Sequence, residues 1–145
     1  MDNSVSMTSL VERLHAEGCS CVIFNHGEVS CWRERGVRDL LHLLKTDRSR
    51  LDGAAVADKV VGKGAAALML LGGVKAVYAD VISEPALELF EGSGVEVSFG
   101  KRVPNIINRA GTGVCPVETL CRDCPTAEEC LPLIERFVEE MSRNN

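Results

Sequence analysis

The chain has 145 residues, of which 46% are hydrophobic and 26% are charged, and its formal net charge at pH 7 is −5. This length and composition are typical of one globular domain. The negative charge argues against a nucleic-acid-binding surface, and the longest apolar run, residues 65–71, is far shorter than the roughly 20 residues that span a membrane. We therefore expect neither nucleic acid nor a membrane as a partner.

The first residues and the cysteines indicate the cellular compartment. The start, MDNSVSMTSL, lacks the basic residues followed by an apolar stretch that mark an export signal. The chain has seven cysteines, and this odd number fits a reducing environment better than a disulfide framework. The sequence therefore predicts a cytoplasmic protein.

The first third of the chain predicts a helix, a hairpin and a second helix. Ser9 and Glu12 have the spacing of a capping box, and Gly18 is suited to close the helix that follows. The apolar run that begins at Cys21 is interrupted by Asn25-His26-Gly27, which is a hairpin signal. Residues 37–45 carry leucines at helical spacing.

The middle of the chain predicts parallel strands. The stretch GAAVADKVVGKGAAALMLLGG, residues 53–73, predicts a helix that ends at two glycines and has Gly62 and Gly64 at its beginning. Residues 74–79 then predict a strand, residues 83–94 a helix and residues 95–99 a strand. Strand, helix and strand at this spacing imply a parallel pair joined by a right-handed crossover. With the antiparallel hairpin in the same sheet, the predicted fold is a three-layer α/β/α sandwich with a mixed sheet.

The last third differs in character. Residues 101–116 are polar and rich in glycine, whereas the stretch from Thr126 onward regains helical spacing. We expect a single domain over residues 1–145, with a core over about 8–113 and a cysteine-containing helical segment over about 114–142.

Two long stretches resemble a known family. ADKVVGKGAAALMLLGGVKAVYADVISEPALELFEGSGVEV and VPNIINRAGTGVCPVE are similar to small prokaryotic proteins of unknown function whose fold is cytidine-deaminase-like. The resemblance implies that fold here and extends from the hairpin to about Glu118.

The resemblance also allows a test for deaminase chemistry. Active zinc deaminases use an H-x-E motif at one helix start and P-C-x-x-C at the next, and the ligands activate a zinc-bound water. Here the corresponding residues read Val61-Gly62-Lys63-Gly64-Ala65 and Ile82-Ser83-Glu84-Pro85-Ala86, without histidine or cysteine. A catalytic zinc needs about three protein ligands, so we expect no zinc-dependent deamination.

Two segments are candidates for binding a small anionic ligand. The first contains Asp58, Lys59, Gly62 and Lys63: amides at a helix start and two ammonium groups suit a phosphate or a carboxylate. The alternative is that the glycines serve helix packing and the lysines are solvated.

The second segment is the polar loop, with amide, guanidinium and hydroxyl groups at Asn105, Asn108, Arg109 and Thr112. The alternative is a connection whose asparagines only stabilise turns.

Four cysteines lie within residues 115–130. Cys115, Cys121, Cys124 and Cys130 are sufficient to hold a zinc ion or an iron–sulfur cluster, although their spacing matches no ferredoxin pattern. Reduced cysteines packed in the core and redox-active thiols are the two alternatives. Cys115, at the predicted N-cap of a helix, is also a candidate nucleophile.

The sequence favours the first of three functions, and the other two are alternatives. The first is a non-catalytic protein that binds a nucleotide or another small anion. The second is a metal-binding or redox protein that uses the C-terminal cysteines, and the third is an interaction module or homodimer.

Overall fold

The fold is described from a computed structural model, for residues 6–33, 37–108 and 110–143. Five strands form one sheet: β1 (Cys21–Asn25), β2 (Glu28–Trp32), β3 (Ala55–Val61), β4 (Ala76–Ser83) and β5 (Glu96–Val103). The α-helices of the described residues are α1 (Met7–Glu17), α2 (Arg38–Thr46), α3 (Lys63–Gly72), α4 (Glu84–Phe90), α5 (Pro116–Cys121) and α6 (Ala127–Arg143). None of these helices combines the length and the apolar character needed to cross a membrane.

The sheet is mixed, with the strand order β2-β1-β3-β4-β5. Strand β1 is antiparallel to both β2 and β3, whereas β3, β4 and β5 are parallel to one another. The predicted hairpin, its place in the same sheet and the parallel pair β4–β5 are therefore confirmed. At the hairpin turn, His26 and Gly27 have φ angles of 51° and 76°, the left-handed region that such a turn requires.

Strand β3 corrects the prediction for residues 53–73. The helix begins only at Lys63, and the preceding residues Ala55–Val61 form a central strand. Alanine favours a helix and valine a strand, so this segment has no decisive local preference. Pairing with β1 on one side and β4 on the other decides in favour of the strand.

Two helix boundaries show how local chemistry sets the chain path. Helix α1 begins earlier than predicted, because the Ser6 hydroxyl accepts a hydrogen bond from the Ser9 amide at 3.2 Å. Its end at Gly18 is confirmed, with a left-handed φ of 64°. Near the C-terminus, Pro116 begins α5 directly after Cys115, as predicted.

Alternate residues of the strands contribute to two hydrophobic clusters. In β1, Val22 belongs to the cluster that contains α1, whereas Ile23 belongs to the larger cluster that contains α3. The larger cluster also includes Cys121 and Ile134, so the two C-terminal helices pack against the same core. This packing brings the cysteine-containing segment close to the beginning of α3.

Candidate functional site

The carboxyl ends of β3 and β4 meet where two helices begin. Strand β3 leads through Gly62 into α3, and β4 leads directly from Ser83 into α4. Because the two strands are parallel neighbours, both helix starts lie at the same edge of the sheet. This edge is where ligands bind in open α/β sheets.

A buried glutamate from α5 occupies the space between these helix starts. The carboxylate of Glu118 accepts hydrogen bonds from the Lys63 amide at 2.8 Å and from the Ser83 hydroxyl at 2.8 Å. Its second oxygen accepts a hydrogen bond from the Ile106 amide. Glu118 is only 4% exposed, and these donors replace the water that a carboxylate needs. One side chain therefore joins α3, the end of β4, the polar loop and α5.

Gly62 makes this close approach possible. A β-carbon at this position would lie 3.1 Å from the Glu118 Oε1 atom and 3.1 Å from the Ile106 Cγ1 atom. The beginning of a helix carries partial positive charge, which favours a carboxylate. The structure thus brings two predicted ligand-binding segments together, but around a carboxylate of the protein itself.

The charged residues predicted at this site point in different directions. The Lys63 side chain is 9% exposed, and its ammonium group donates to the Arg122 carbonyl at 3.1 Å. Lys59 is exposed. Asp58 is buried, and burial raises the pKa of its carboxyl to about 7, although a hydrogen bond from the Val60 amide partly opposes this.

The polar loop is held by its own side chains. The Asn108 side chain accepts from the Thr112 amide at 3.0 Å and donates to the Thr112 hydroxyl at 3.2 Å. Asn105 is exposed, next to the Ile106 amide that binds Glu118. Arg109, the remaining predicted ligand-binding residue of this loop, lies outside the described residues.

Three of the four C-terminal cysteines converge where α5 meets α6. Cys121 ends α5, Cys124 follows in the turn, and Cys130 lies in the first part of α6. Both other thiols influence the pKa of Cys130. Cys121 and Cys130 have no exposed surface, and Cys124 is 8% exposed.

The three thiols have different proton affinities. The hydrogen bond from Cys130 lowers the pKa of Cys121, and the positive charge of Lys63 lowers it further. The same hydrogen bond, together with burial, raises the pKa of Cys130. Burial is also the main reason why the pKa of Cys124 is raised. Cys121 is therefore the member of the cluster that most readily becomes a thiolate, and Cys130 holds the proton.

The fourth cysteine of the predicted metal site is set apart. Cys115 precedes α5 and Cys121 ends it, which separates their backbones by about 9 Å of helix rise. In the part of the chain that the structure describes, the side chains whose potential ligand atoms all lie within 4.8 Å of one another are Glu17, Cys19 and Cys31. The four-cysteine metal site stays a prediction, and Cys121, Cys124 and Cys130 do not form such a group.

The histidines make contacts elsewhere, so the role of Cys115 as a nucleophile also stays a prediction. The His15 Nε2 atom lies 2.8 Å from the Asp80 carboxylate, which also accepts a hydrogen bond from the Tyr78 hydroxyl. The His26 Nε2 atom lies 3.3 Å from a backbone carbonyl. His42 lines a groove of about 810 Å³ between α2 and α6.

Sequence reasoning did not identify Glu118. A glutamate in the first turn of a helix usually interacts with the helix dipole at the surface, and nothing in its local sequence indicates burial. The only indication in the sequence is that the stretch VPNIINRAGTGVCPVE, which resembles the known family, ends at Glu118.

Comparisons with known proteins agree on one family. The family model described as "Domain of unknown function (DUF1893)", TM1506, matches residues 9–138. The crystal structure of a DUF1893 family protein (TM1506) from Thermotoga maritima has a TM-score of 0.81 and 26% sequence identity, with 92% of each chain covered. The comparison with curated proteins gives no match. This chain belongs to the DUF1893 family.

Proposed function

We propose that the protein is a thiol redox protein in which Cys121 and Cys130 alternate between a dithiol and a disulfide. The observation that carries the proposal is that the buried Cys121 and Cys130 come together where α5 meets α6, close to the Lys63 ammonium group. The pKa of Cys121 is lowered there and that of Cys130 is raised. Redox-sensing cysteines are solvent-accessible, have a low pKa and often lie next to a thiol that resolves the first oxidation product. Cys121 has the lowered pKa and the neighbouring thiol, and its burial limits access to small oxidants.

The chemistry balances with a peroxide as the oxidant. The Cys121 thiolate attacks one peroxide oxygen, the O–O bond breaks, and Cys121 becomes a sulfenic acid while the leaving hydroxide is protonated to water. The Cys130 sulfur then attacks the Cys121 sulfur, the S–O bond breaks, and the leaving hydroxide takes up the proton of Cys130 to form a second water. Two thiols lose two electrons, and one peroxide is reduced to two waters.

Lys63 links this cluster to the Glu118 site. Its backbone amide is held by Glu118, and its ammonium group is held by the Arg122 carbonyl, one residue beyond Cys121. The positive charge then stabilises the Cys121 thiolate. In this proposal Glu118 positions Lys63, and Lys63 acts on Cys121.

Burial determines the kind of oxidant. Cys121 and Cys130 have no exposed surface, so a protein disulfide has no access without opening of the α5–α6 turn. A small peroxide requires much less movement. A reducing cytoplasm, the compartment that we propose, supplies the small thiols that return the disulfide to the dithiol.

The proposal is tested by equilibrating the protein with mixtures of reduced and oxidised glutathione and counting free thiols. We expect a two-electron transition that disappears in both Cys121→Ser and Cys130→Ser and persists in the control Cys115→Ser. Peroxide should drive the same change with one equivalent per chain. A transition that survives in Cys121→Ser, or a wild-type protein that stays fully reduced after treatment with peroxide, would refute the proposal.

Binding of a small anionic ligand is the second candidate. It is supported by the exposed Lys59 and Asn105. The loop that carries Asn105 lies close to the beginning of α3, since a β-carbon at Gly62 would be 3.1 Å from the Ile106 Cγ1 atom. The Lys63 amide is already bound to Glu118, so such a ligand must use the outer side of this site. A thermal-shift series with nucleotides tests it: a ligand at 100 times its Kd adds about 2.7 kcal/mol of stability, and Lys59→Ala should reduce the shift.

We also propose that the fold is a cytidine-deaminase-like three-layer α/β/α sandwich without deaminase activity. The support is that α3 and α4 begin side by side at the ends of β3 and β4. The sequence there lacks the histidine and cysteine ligands of the zinc deaminases. Release of ammonia from cytidine or adenosine by the zinc-supplemented protein would contradict this proposal.

A further inference from the structure

A second group of sulfur and oxygen ligands lies in the other hydrophobic cluster, at the end of α1. It consists of Glu17, Cys19 and Cys31, whose ligand atoms all lie within 4.8 Å of one another. Cys19 is buried, Cys31 is partly buried and Glu17 is exposed. The group is therefore anchored in the protein on one side and open to solvent on the other.

The backbone fixes the three side chains in this arrangement. The left-handed Gly18 ends α1 and reverses the chain between Glu17 and Cys19. The next residue, Ser20, donates its amide to the Trp32 carbonyl at 2.8 Å and accepts from the Lys59 amide at 3.1 Å. Cys31 lies within the hairpin strand β2. Turn and strand pairing thus hold all three ligands before any metal binds.

We propose that Glu17, Cys19 and Cys31 form a Zn²⁺ site. Zinc binds thiolate sulfur at about 2.3 Å and carboxylate oxygen at about 2.0–2.2 Å, almost always in a tetrahedron. Sulfur atoms at adjacent corners of such a tetrahedron are about 3.8 Å apart, which the observed spacing accommodates with little movement. Two thiolates and one carboxylate also match the ligand preference of zinc and not that of calcium or magnesium.

The surrounding charges are suited to the complex. Two thiolates, a carboxylate and Zn²⁺ together carry one net negative charge. The Arg13 guanidinium lies 3.5 Å from the Glu17 carboxylate, and the Arg33 guanidinium donates to the Glu17 carbonyl at 3.0 Å. These two cations offset the remaining charge. Because Glu17 and Cys31 reach the surface, the fourth position of the tetrahedron is available to water or to an exogenous ligand.

Cobalt titration tests the site. The full chain, reduced and stripped of metal under anaerobic conditions, is titrated with Co²⁺ while the thiolate-to-cobalt charge-transfer absorption is recorded, and Zn²⁺ is then added to displace the cobalt. We expect one equivalent per chain. Glu17→Gln should weaken binding at least about 10-fold, because even the loss of an outer-shell partner costs 10–100-fold in affinity.

The chain provides its own matched control. The double variant Cys121→Ser/Cys130→Ser removes two thiols from the other cluster, so it should retain the one-equivalent signal, whereas Cys19→Ser/Cys31→Ser should lose it. Circular dichroism verifies that each variant is folded. If Cys19→Ser/Cys31→Ser does not fold, the single variant Cys31→Ser, at a partly exposed position, replaces it in the titration. Metal binding that persists in Cys31→Ser would overturn the zinc site. Loss of metal binding in Cys121→Ser/Cys130→Ser would overturn it as well. Neither result depends on whether the redox proposal holds.

Discussion

Glu118 connects segments that are far apart in the sequence. Its donors lie 55, 35 and 12 residues away, at Lys63, Ser83 and Ile106. Buried hydrogen bonds to a charged group each contribute about 1.5–3 kcal/mol, and a buried donor left without its partner costs about 1–3 kcal/mol. This single carboxylate is therefore a large part of what holds α5, and with it the thiol cluster, against α3.

Replacement of Glu118 by glutamine tests this role. The amide keeps one accepting oxygen but presents an NH₂ group to a backbone amide, so we expect the free energy of unfolding to fall by roughly 2–3 kcal/mol. Urea unfolding measures the change, with the exposed Glu88→Gln in α4 as the control. A loss as small as that of the control would mean that the hydrogen bonds of Glu118 contribute little.

Asp58 predicts a pH dependence of stability. Burial raises the pKa of its carboxyl to about 7 from an ordinary value of 3.8, so between these values the folded state keeps a proton that the unfolded state has lost. Stability therefore falls as the pH rises from about 4 to about 7, and the loss is complete above that range. The nearby charges of Asp80 and Asp39 act in the same direction.

Asp58→Asn should remove this dependence. At pH 8 we expect the variant to be more stable than the wild type by on the order of 2–4 kcal/mol, and at pH 4 the difference should nearly vanish. Urea unfolding at the two pH values measures it, and the exposed Asp123→Asn serves as the comparison. A variant that is less stable than the wild type at pH 8 would show that the Asp58 charge is compensated.

At the level of elements, the approach of α5 to α3 depends on Gly64. A β-carbon at this position would lie 2.3 Å from the Val117 Cγ1 atom, well inside van der Waals contact. Alanine would favour the helix by about 1 kcal/mol, but the clash requires α3 and α5 to separate. The close contact between these two helices also places Cys121 near Lys63.

Gly64→Ala should accordingly destabilise the protein by about 1–3 kcal/mol in spite of its better helix propensity. It should also slow disulfide formation at Cys121, because α5 is displaced. The control is Gly113→Ala, where a β-carbon meets nothing within 4 Å. An unchanged or increased unfolding free energy for Gly64→Ala would indicate that the helices adapt without strain.

Elements with a local signal could be predicted from the sequence. Such a signal depends only on the backbone conformation that the residues themselves favour. Examples are the glycine at the end of α1, the Asn-His-Gly turn of the hairpin and Pro116 at the start of α5. Strand β3 could not be predicted, because its alanines and valines suit either a helix or a strand. Only the pairing with β1 and β4 selects the strand. Glu118 escaped notice for the same reason, since its partners are all distant in sequence.

At the level of the whole molecule, the sheet brings two cysteine groups to different places. The sequence places Cys121 and Cys124 close together, and the fold adds Cys130, which influences the pKa of both. Cys19 and Cys31 gave no spacing signal, since only the folding of the hairpin onto the end of α1 brings them together. The chain therefore separates a buried thiol cluster from a more open group of ligands.

The central claim is that Cys121 and Cys130 form a reversible disulfide in the folded protein. Peptide mapping after treatment with one equivalent of peroxide tests it directly, because trypsin cleaves at Arg122, between the two cysteines. The account predicts that the peptides 110–122 and 123–136 are joined by a Cys121–Cys130 bond and separate on reduction. A disulfide confined to other cysteines, or separate peptides with both thiols free, would contradict it.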